Sequence, residues 1–179
     1  MRANITVVTY NRLDLTRRCL ESLLAKTRGD FLCNIVDNAS SDGTREYLQT
    51  IAAAYANVKV HFFERNMGVA VASNYGWADS EADYYIKLDN DIEILDGEWL
   101  ERLLAFMDNN PEVGVGGYRY ANWPHLRDEM RLPSGDPFVS SNCCNGGCPA
   151  ANVWARYRSI QALCHDSPYH SEIGPKAFR

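Results

Sequence analysis

The sequence predicts an α/β fold, a mostly parallel sheet flanked by helices, on three observations. Short β-rich runs alternate with stretches of helical period from the first residues to about residue 120. The order of these runs, βαβαβαβ, implies a largely parallel sheet covered on both faces by helices. The polar clusters follow the strands, where a parallel sheet covered by helices exposes its ligand-binding edge.

The elements follow in order. Residues 3–9 (ANITVVT) form a first strand, and Leu13, Leu20, Leu23 and Leu24 recur at helical spacing through residues 13–27. Residues 31–37 (FLCNIVD) are a second strand. Ser40 and Ser41 then stand as N-cap candidates for a helix that carries Tyr47, Leu48, Ile51, Ala52 and Tyr55 on one face. Residues 58–63 make a third strand, residues 68–80 a small-residue helix, and residues 84–88 (YYIKL) a fourth strand that runs straight into Asp89. Leu100, Leu103, Leu104 and Met107 mark a helix over residues 98–108, with Trp99 at its start as a core residue, and residues 112–120 resume as a strand. The stretch 122–147 holds Pro124, Pro133 and Pro137 among Gly, Ser and Asn and predicts long loops, and residues 150–164 suggest one more helix. The tail from His165 to Arg179 shows little periodicity. We therefore divide the chain into an α/β half over 1–121 and a loop-rich extension of the same domain over 122–179.

Composition bounds the function. The chain has 179 residues, 46% hydrophobic and 23% charged, enough for one domain with a real core. A net charge of -5 argues against nucleic acid, whose affinity comes from Lys and Arg on phosphates, but not against a nucleotide whose charge a bound metal offsets. No apolar run reaches the roughly 20 residues of a membrane-crossing helix. The first residues (MRANITVVTY) read as a strand, without a signal peptide's cleavage site, so a cytoplasmic protein with reduced thiols is expected. Cys19 and Cys33 fall inside a predicted helix and strand as small hydrophobes.

Four clusters carry chemistry. The sharpest is Lys87-Leu88-Asp89-Asn90-Asp91. Residues two apart in an extended chain point the same way, so Asp89 and Asp91 can face one site. Magnesium or manganese takes one or two carboxylates beside phosphate and water oxygens. The plain alternative is a solvated turn at a strand end. Asp37, closing the second strand in IVDNASSDGT, can accept hydrogen bonds from a nucleobase imide or a ribose hydroxyl, whereas Asp42 and Gly43 read as turn and cap residues. Asn66 and Asn74 supply donors and acceptors where the third helix begins and along its face. Gly68 and Gly76 allow close backbone approach, Gly76 more as a packing contact. Thr9-Tyr10-Asn11-Arg12 ends the first strand with hydroxyls and an arginine. Neither G-x-G-x-x-G nor G-x-x-x-x-G-K-[ST] occurs, which weighs against a dehydrogenase and a P-loop enzyme.

Taken together, ITVVTYNR at 5–12, IVDNASSDGT at 35–44, the Asn66/Gly68/Ala72/Asn74/Gly76 spacing and KLDNDIEI at 87–94 resemble the family 2 glycosyltransferases, enzymes of the GT-A fold, in order and over residues 4 to about 120. The resemblance implies a hexosyltransferase-class enzyme that takes a nucleoside-diphosphate-sugar, a UDP-sugar by expectation. It implies that Thr9 and Asp37 contact the donor's base and ribose, that Asn66 and Gly68 help hold the nucleotide, and that Asn74 lies near the donor. Asp89 would reach the ribose or sugar and share with Asp91 the binding of Mn2+ or Mg2+. Inversion at the anomeric carbon is the family's usual outcome, with a carboxylate general base. That base usually comes from a late Glu-Asp pair. No such dipeptide follows residue 122, so Asp166 and Glu172 stand as substitutes.

The acceptor, whether carbohydrate, lipid-linked or protein, is not read from these residues, and peripheral membrane association stays open. The chain is shorter than is usual in the family, which keeps an inactive nucleotide-sugar-binding module as an alternative. A sugar-phosphate nucleotidyltransferase is a further one, disfavoured by the first loop's lack of glycine. Cys143, Cys144, Cys148 and Cys164 do not form the paired spacing of a structural zinc site. His61, His125 and His170 have no catalytic partner spacing, and His165 could join the metal shell. Tyr118, Tyr120 and Trp123 could stack on an acceptor sugar or pack in the core.

Overall fold

A computed structural model describes residues 1–111 together with 115–117, 129–131, 137–139 and 152–156. The elements run β1 (Ala3–Thr9), α1 (Leu13–Lys26), β2 (Phe31–Asp37), α2 (Thr44–Ala54), β3 (Val58–Phe62), α3 (Val69–Ala78), β4 (Tyr84–Asp89) and α4 (Trp99–Asn109). Four short strands follow, β5 (Val115–Gly117), β6 (Glu129–Arg131), β7 (Pro137–Val139) and β8 (Asn152–Arg156). The main sheet has the order β3-β2-β1-β4-β8-β5. Its first four strands are parallel, with Thr9 beside Asp37 and Val8 beside Asp89, so the ends of β1, β2 and β4 finish level.

The two faces of the sheet are built differently. Ala3, Ile5 and Val7 alternate with Asn4 and Thr6 along β1, the period-2 pattern of a strand. The odd-numbered side joins Cys33, Ile35, Ile86 and Leu88 under Cys19, Leu20 and Leu23 of α1, Leu48 of α2, and Trp99, Leu100, Leu103 and Met107 of α4. Each of these large side chains contributes about 1.5–3 kcal/mol on burial. Burial also pushes the Cys19 thiol up to about 12, and the Cys33 thiol up as well, so both stay protonated.

The other side of the sheet buries Asn4, Thr6 and Asn34 beneath α3. A buried amide is costly unless bonded, and here both Nδ2 groups find one carbonyl while Asn34 Oδ1 is left without a partner among the described residues. The Gly76 carbonyl accepts from Asn4 Nδ2 at 3.0 Å and from Asn34 Nδ2 at 2.9 Å, and Asn4 Oδ1 accepts from the Thr6 hydroxyl at 3.0 Å. Gly76 makes that contact because it lacks a Cβ, which would stand 2.6 Å from Thr6 Cγ2. The packing role read for Gly76 is what the structure shows. On the same side, His61 of β3 meets the Tyr75 ring edge-on at 5.0 Å. Desolvation lowers its pKa against the opposing pull of Asp79, which holds the imidazole neutral near neutrality.

Three expectations need correction. Residues 152–156 are not helical. Asn152–Arg156 pairs antiparallel with both β4 and β5, and the backbone groups of two neighbouring strands outweigh a helical reading of Val153 and Trp154, which favour strands in any case. Pro137 and its neighbours fall in the two-stranded ribbon β6-β7 inside the stretch read as loop, with Pro137 at the first position of its strand, where a missing N–H is tolerated. Ser40 and Ser41 do not cap α2. Gly43 precedes the helix in the left-handed region (φ 92), and the Asp42 carboxylate receives Thr44 N at 3.2 Å. The strand expected over 112–120 is described only as Val115–Gly117.

Candidate functional site

Three chain ends converge at the carboxyl edge of β1, β2 and β4. The loop after β1 is braced to the loop after β2: Asn11 N donates to Ser40 Oγ at 2.7 Å, Asn11 Oδ1 accepts from Ser41 N at 2.9 Å, and Leu13 N donates to Asp42 Oδ2 at 3.0 Å. Burial raises the Asp42 carboxyl, but hydrogen bonds from Thr44 and Leu13 outweigh it and leave the group below its ordinary value. Such bonds sustain a backbone that is otherwise disfavoured. Asn11 (φ 56), Arg12 (φ 60) and Ala39 (φ 70) all occupy the left-handed region, at about 1–2 kcal/mol each for a non-glycine residue.

Asp37 is wholly buried at the end of β2. Its Oδ2 accepts from Ser40 N at 3.1 Å and lies 3.9 Å from Arg45 Nη1, while Oδ1 is buried without a partner. An orphaned carboxylate oxygen is costly, about 1–3 kcal/mol or more, and native proteins keep few of them outside functional sites. Arg45 lies 4.8 Å over the Phe62 ring, which sets its guanidinium beside Asp37.

Thr9 also ends its strand but points inward. Its hydroxyl lies 2.9 Å from that of Thr16, and Asn90 Nδ2 donates to Thr16 Oγ1 at 3.0 Å. Thr9 thus ties the start of α1 to the turn after β4. Its carbonyl accepts from Asn38 N at 2.8 Å.

Asn66 and Gly68 belong to a second brace. Asn38 Nδ2 donates to Asn66 Oδ1 at 2.8 Å, Gly68 N donates to the same oxygen at 2.9 Å, and Asn38 Oδ1 accepts from Met67 N at 2.7 Å. Gly68 precedes α3 at φ 82, ψ 160, a conformation essentially confined to glycine. No protein atom among the described residues lies within 4 Å of where its Cβ would stand, so within the protein it is the backbone conformation that requires glycine here. Asn74 sits half-buried in the middle of α3.

The paired acids are not arranged as an extended strand would set them. β4 ends at Asp89, and Ile92 N donates back to Asp89 O at 3.3 Å, so Asn90 and Asp91 lie in a turn. Asp89 is taken by Lys87 Nζ of its own strand, an i,i+2 neighbour on the same face. Asp91 pairs with Arg12 Nη1 at 3.7 Å, with the two side chains 45% and 63% exposed. Among the described residues no three His, Cys, Asp or Glu side chains cluster as a ready metal cage.

Several contributors were given no role in the site from the sequence: Lys87, Arg45, Asn38 and Asn90, while Ser40 was read only as a helix cap. Lys87 had a legible signal, since it stands two residues before Asp89 in a predicted strand. The bonds across 28 to 81 residues that join Asn38 to Asn66 and Asn90 to Thr9 had none. Asp166, Glu172 and His165, together with Tyr118, Tyr120, Trp123, His125, His170 and the four later cysteines, lie outside the described residues.

With this geometry in hand, known proteins resolve the class. The GT-A glycosyltransferases share the fold. The structure of Staphylococcus aureus TarS residues 1-349 in complex with UDP-GlcNAc superposes with a TM-score of 0.66 at 22% identity, over 99% of this chain and 53% of that one. The mannosyltransferase PcManGT of Pyrobaculum calidifontis in complex with GDP-Man and Mn2+ superposes at 0.67 and 16%, over 90% of this chain and 46% of that one. In sequence, the glycosyltransferase AglE of Haloferax volcanii is 26% identical over 124 residues, 68% of this chain and 40% of AglE. The putative teichuronic acid biosynthesis glycosyltransferase TuaG of Bacillus subtilis is 32% identical over 109 residues, 58% of this chain and 41% of TuaG. The family model for glycosyl transferase family 2 matches residues 4–141, and the chain belongs to that family. It spans about two fifths of the length of these two curated relatives. Among the described residues no helix is long and apolar enough to cross a membrane.

Proposed function

We propose that this chain carries the donor-binding half of a metal-assisted, inverting glycosyltransferase that moves a sugar from a UDP-sugar to an acceptor hydroxyl. The observation that carries the reading is Asp37: a fully buried carboxylate at the sheet's ligand-binding edge with one oxygen bonded and the other orphaned. The nucleobase supplies the missing donor. Uracil presents a single imide N–H, which matches a single free oxygen. Guanine presents two adjacent N–H groups suited to a carboxylate with both oxygens free, and Asp37 Oδ2 is already occupied by Ser40 N. Arg45, about a third exposed, stands on the other oxygen of the carboxylate, 3.9 Å from Oδ2, and leaves Oδ1 to the base.

The acids after β4 suit a divalent metal of the magnesium or manganese type. Asp91 offers hard carboxylate oxygens at an exposed turn, engaged among the described residues in a long pair with Arg12, and such a metal needs one or two protein carboxylates beside phosphate and water. Asp91 would hold it, with Asp89 adjacent. When bound it supplies Lewis-acid stabilisation of charge on the departing diphosphate. The protein's own contribution is orientation. The Asn11–Ser40 and Asn38–Asn66 braces fix the loops around the nucleotide, Asn66 and Gly68 lie at the start of α3 beside it, and Thr9 keeps α1 in register with the turn that bears Asp91. Lys87 aims the Asp89 carboxylate, which accepts a ribose or sugar hydroxyl. Asn74 faces the donor further along α3. Removal of the acceptor proton falls to Asp166 or Glu172.

The direct test mixes the protein with a panel of UDP- and GDP-sugars, Mn2+ and simple sugar acceptors, and follows nucleoside diphosphate release. UDP release is expected. Pyrophosphate release from a nucleoside triphosphate and a sugar phosphate would make it a nucleotidyltransferase. Donor binding without turnover would make it a binding module.

A further inference from the structure

The two acids at the end of β4 and in the turn after it are held by internal cations, and held unequally. Lys87, three-quarters buried, grips Asp89 from the same strand. Arg12 reaches Asp91 from another element, at 3.7 Å, with both groups open to water. A pair of the second kind contributes about 0.2–1 kcal/mol, which a divalent cation easily replaces. Yet the backbone that aims Arg12 is not casual. Asn11 and Arg12 are consecutive left-handed residues, Arg12 is the residue that precedes α1, and Asn11 is fastened on both sides to Ser40 and Ser41. Strain kept by surrounding bonds at a site edge signals a positional function.

On the metal-assisted reading above, we infer that Arg12 is a positioning residue that competes with the divalent cation for Asp91. The guanidinium neutralises Asp91 until the metal takes the carboxylate. Release then leaves a cation at the mouth of the site for the nucleotide's diphosphate, an acceptor that matches guanidinium geometry. Metal uptake and diphosphate binding are coupled by this exchange, because each draws on one side of the same ion pair.

The test is Mn2+ binding, read by the free-Mn2+ electron paramagnetic resonance signal, on the whole chain without donor and then with UDP. Arg12→Ala is expected to tighten Mn2+ without UDP by about two- to fivefold, the loss of one exposed competing pair. With UDP present, the gain in Mn2+ affinity that UDP confers should shrink by a similar factor. Arg18→Ala removes an equal charge from α1, the helix that Arg12 precedes, at a residue paired with Glu93, and should leave both values within experimental error. An Arg12→Ala protein that binds Mn2+ no tighter than wild type overturns the exchange, as does an equal gain in Arg18→Ala, which would reduce the effect to general charge. If wild type takes up no Mn2+ with or without UDP, or Asp91→Ala binds it as wild type does, the metal reading fails and the exchange with it.

Discussion

Asp91→Ala is expected to lose at least a hundredfold in kcat/KM for sugar transfer and to abolish the Mn2+-dependent part of donor binding. The reason is electrostatic. Charge develops on the diphosphate leaving group; Asp91→Ala removes the carboxylate that would hold the metal there, and the one guanidinium it frees, Arg12, replaces a divalent cation only in part. A metal supplies several kcal/mol of such stabilisation, and each 1.36 kcal/mol is tenfold in rate. The fold should survive, since Asp91 is exposed and its pair with Arg12 is weak. Thermal shift with UDP, with and without Mn2+, separates the outcomes: wild type gains stability by mass action when the metal is added, and the variant gains nothing. An undiminished Mn2+-dependent shift in Asp91→Ala refutes its assignment as metal ligand.

Asp37→Asn should weaken UDP binding by roughly tenfold or more, a loss of about 1.5–3 kcal/mol for a hydrogen bond to a charged group. The amide is nearly the same shape, so the packing of β2 is kept. It has only one acceptor oxygen, however, and two donors seek one: Ser40 N and the base imide. Whichever way the amide turns, one N–H faces another. Isothermal titration with UDP reads the loss, and urea unfolding checks that the protein remains folded. Asp37→Ala is the harsher variant, because it also strips Ser40 N of its acceptor and loosens the loop that Asn11 leans on. Unchanged UDP affinity in Asp37→Asn would place the base elsewhere.

The core of this fold was legible because its signals are local. β1, β2 and β4 each carry a run of buried side chains, and α1 and α4 each show a leucine stripe, patterns readable within one window of residues. β8 was not, because Asn152–Arg156 is a strand by virtue of the two edges it joins, and neither β4 nor β5 is near it in sequence. The site divides in the same way. Asp37 and Asp89 stand at strand ends, where the fold class alone makes them candidates. The relation between Asp89 and Asp91 was misjudged because period-2 reasoning was carried one turn beyond the end of the strand; the backbone bond from Ile92 to Asp89 bends the chain there. The partners of both acids, Lys87 and Arg12, show how unequal such signals are. One sits two residues away and the other 79.

Anomalous diffraction at the manganese edge from crystals grown with UDP and Mn2+ tests the central claim most directly. A peak within coordinating distance of the Asp91 carboxylate, with the uracil imide on Asp37 Oδ1, is the expected result. Ordered metal and nucleotide bound away from the ends of β2 and β4 would contradict it.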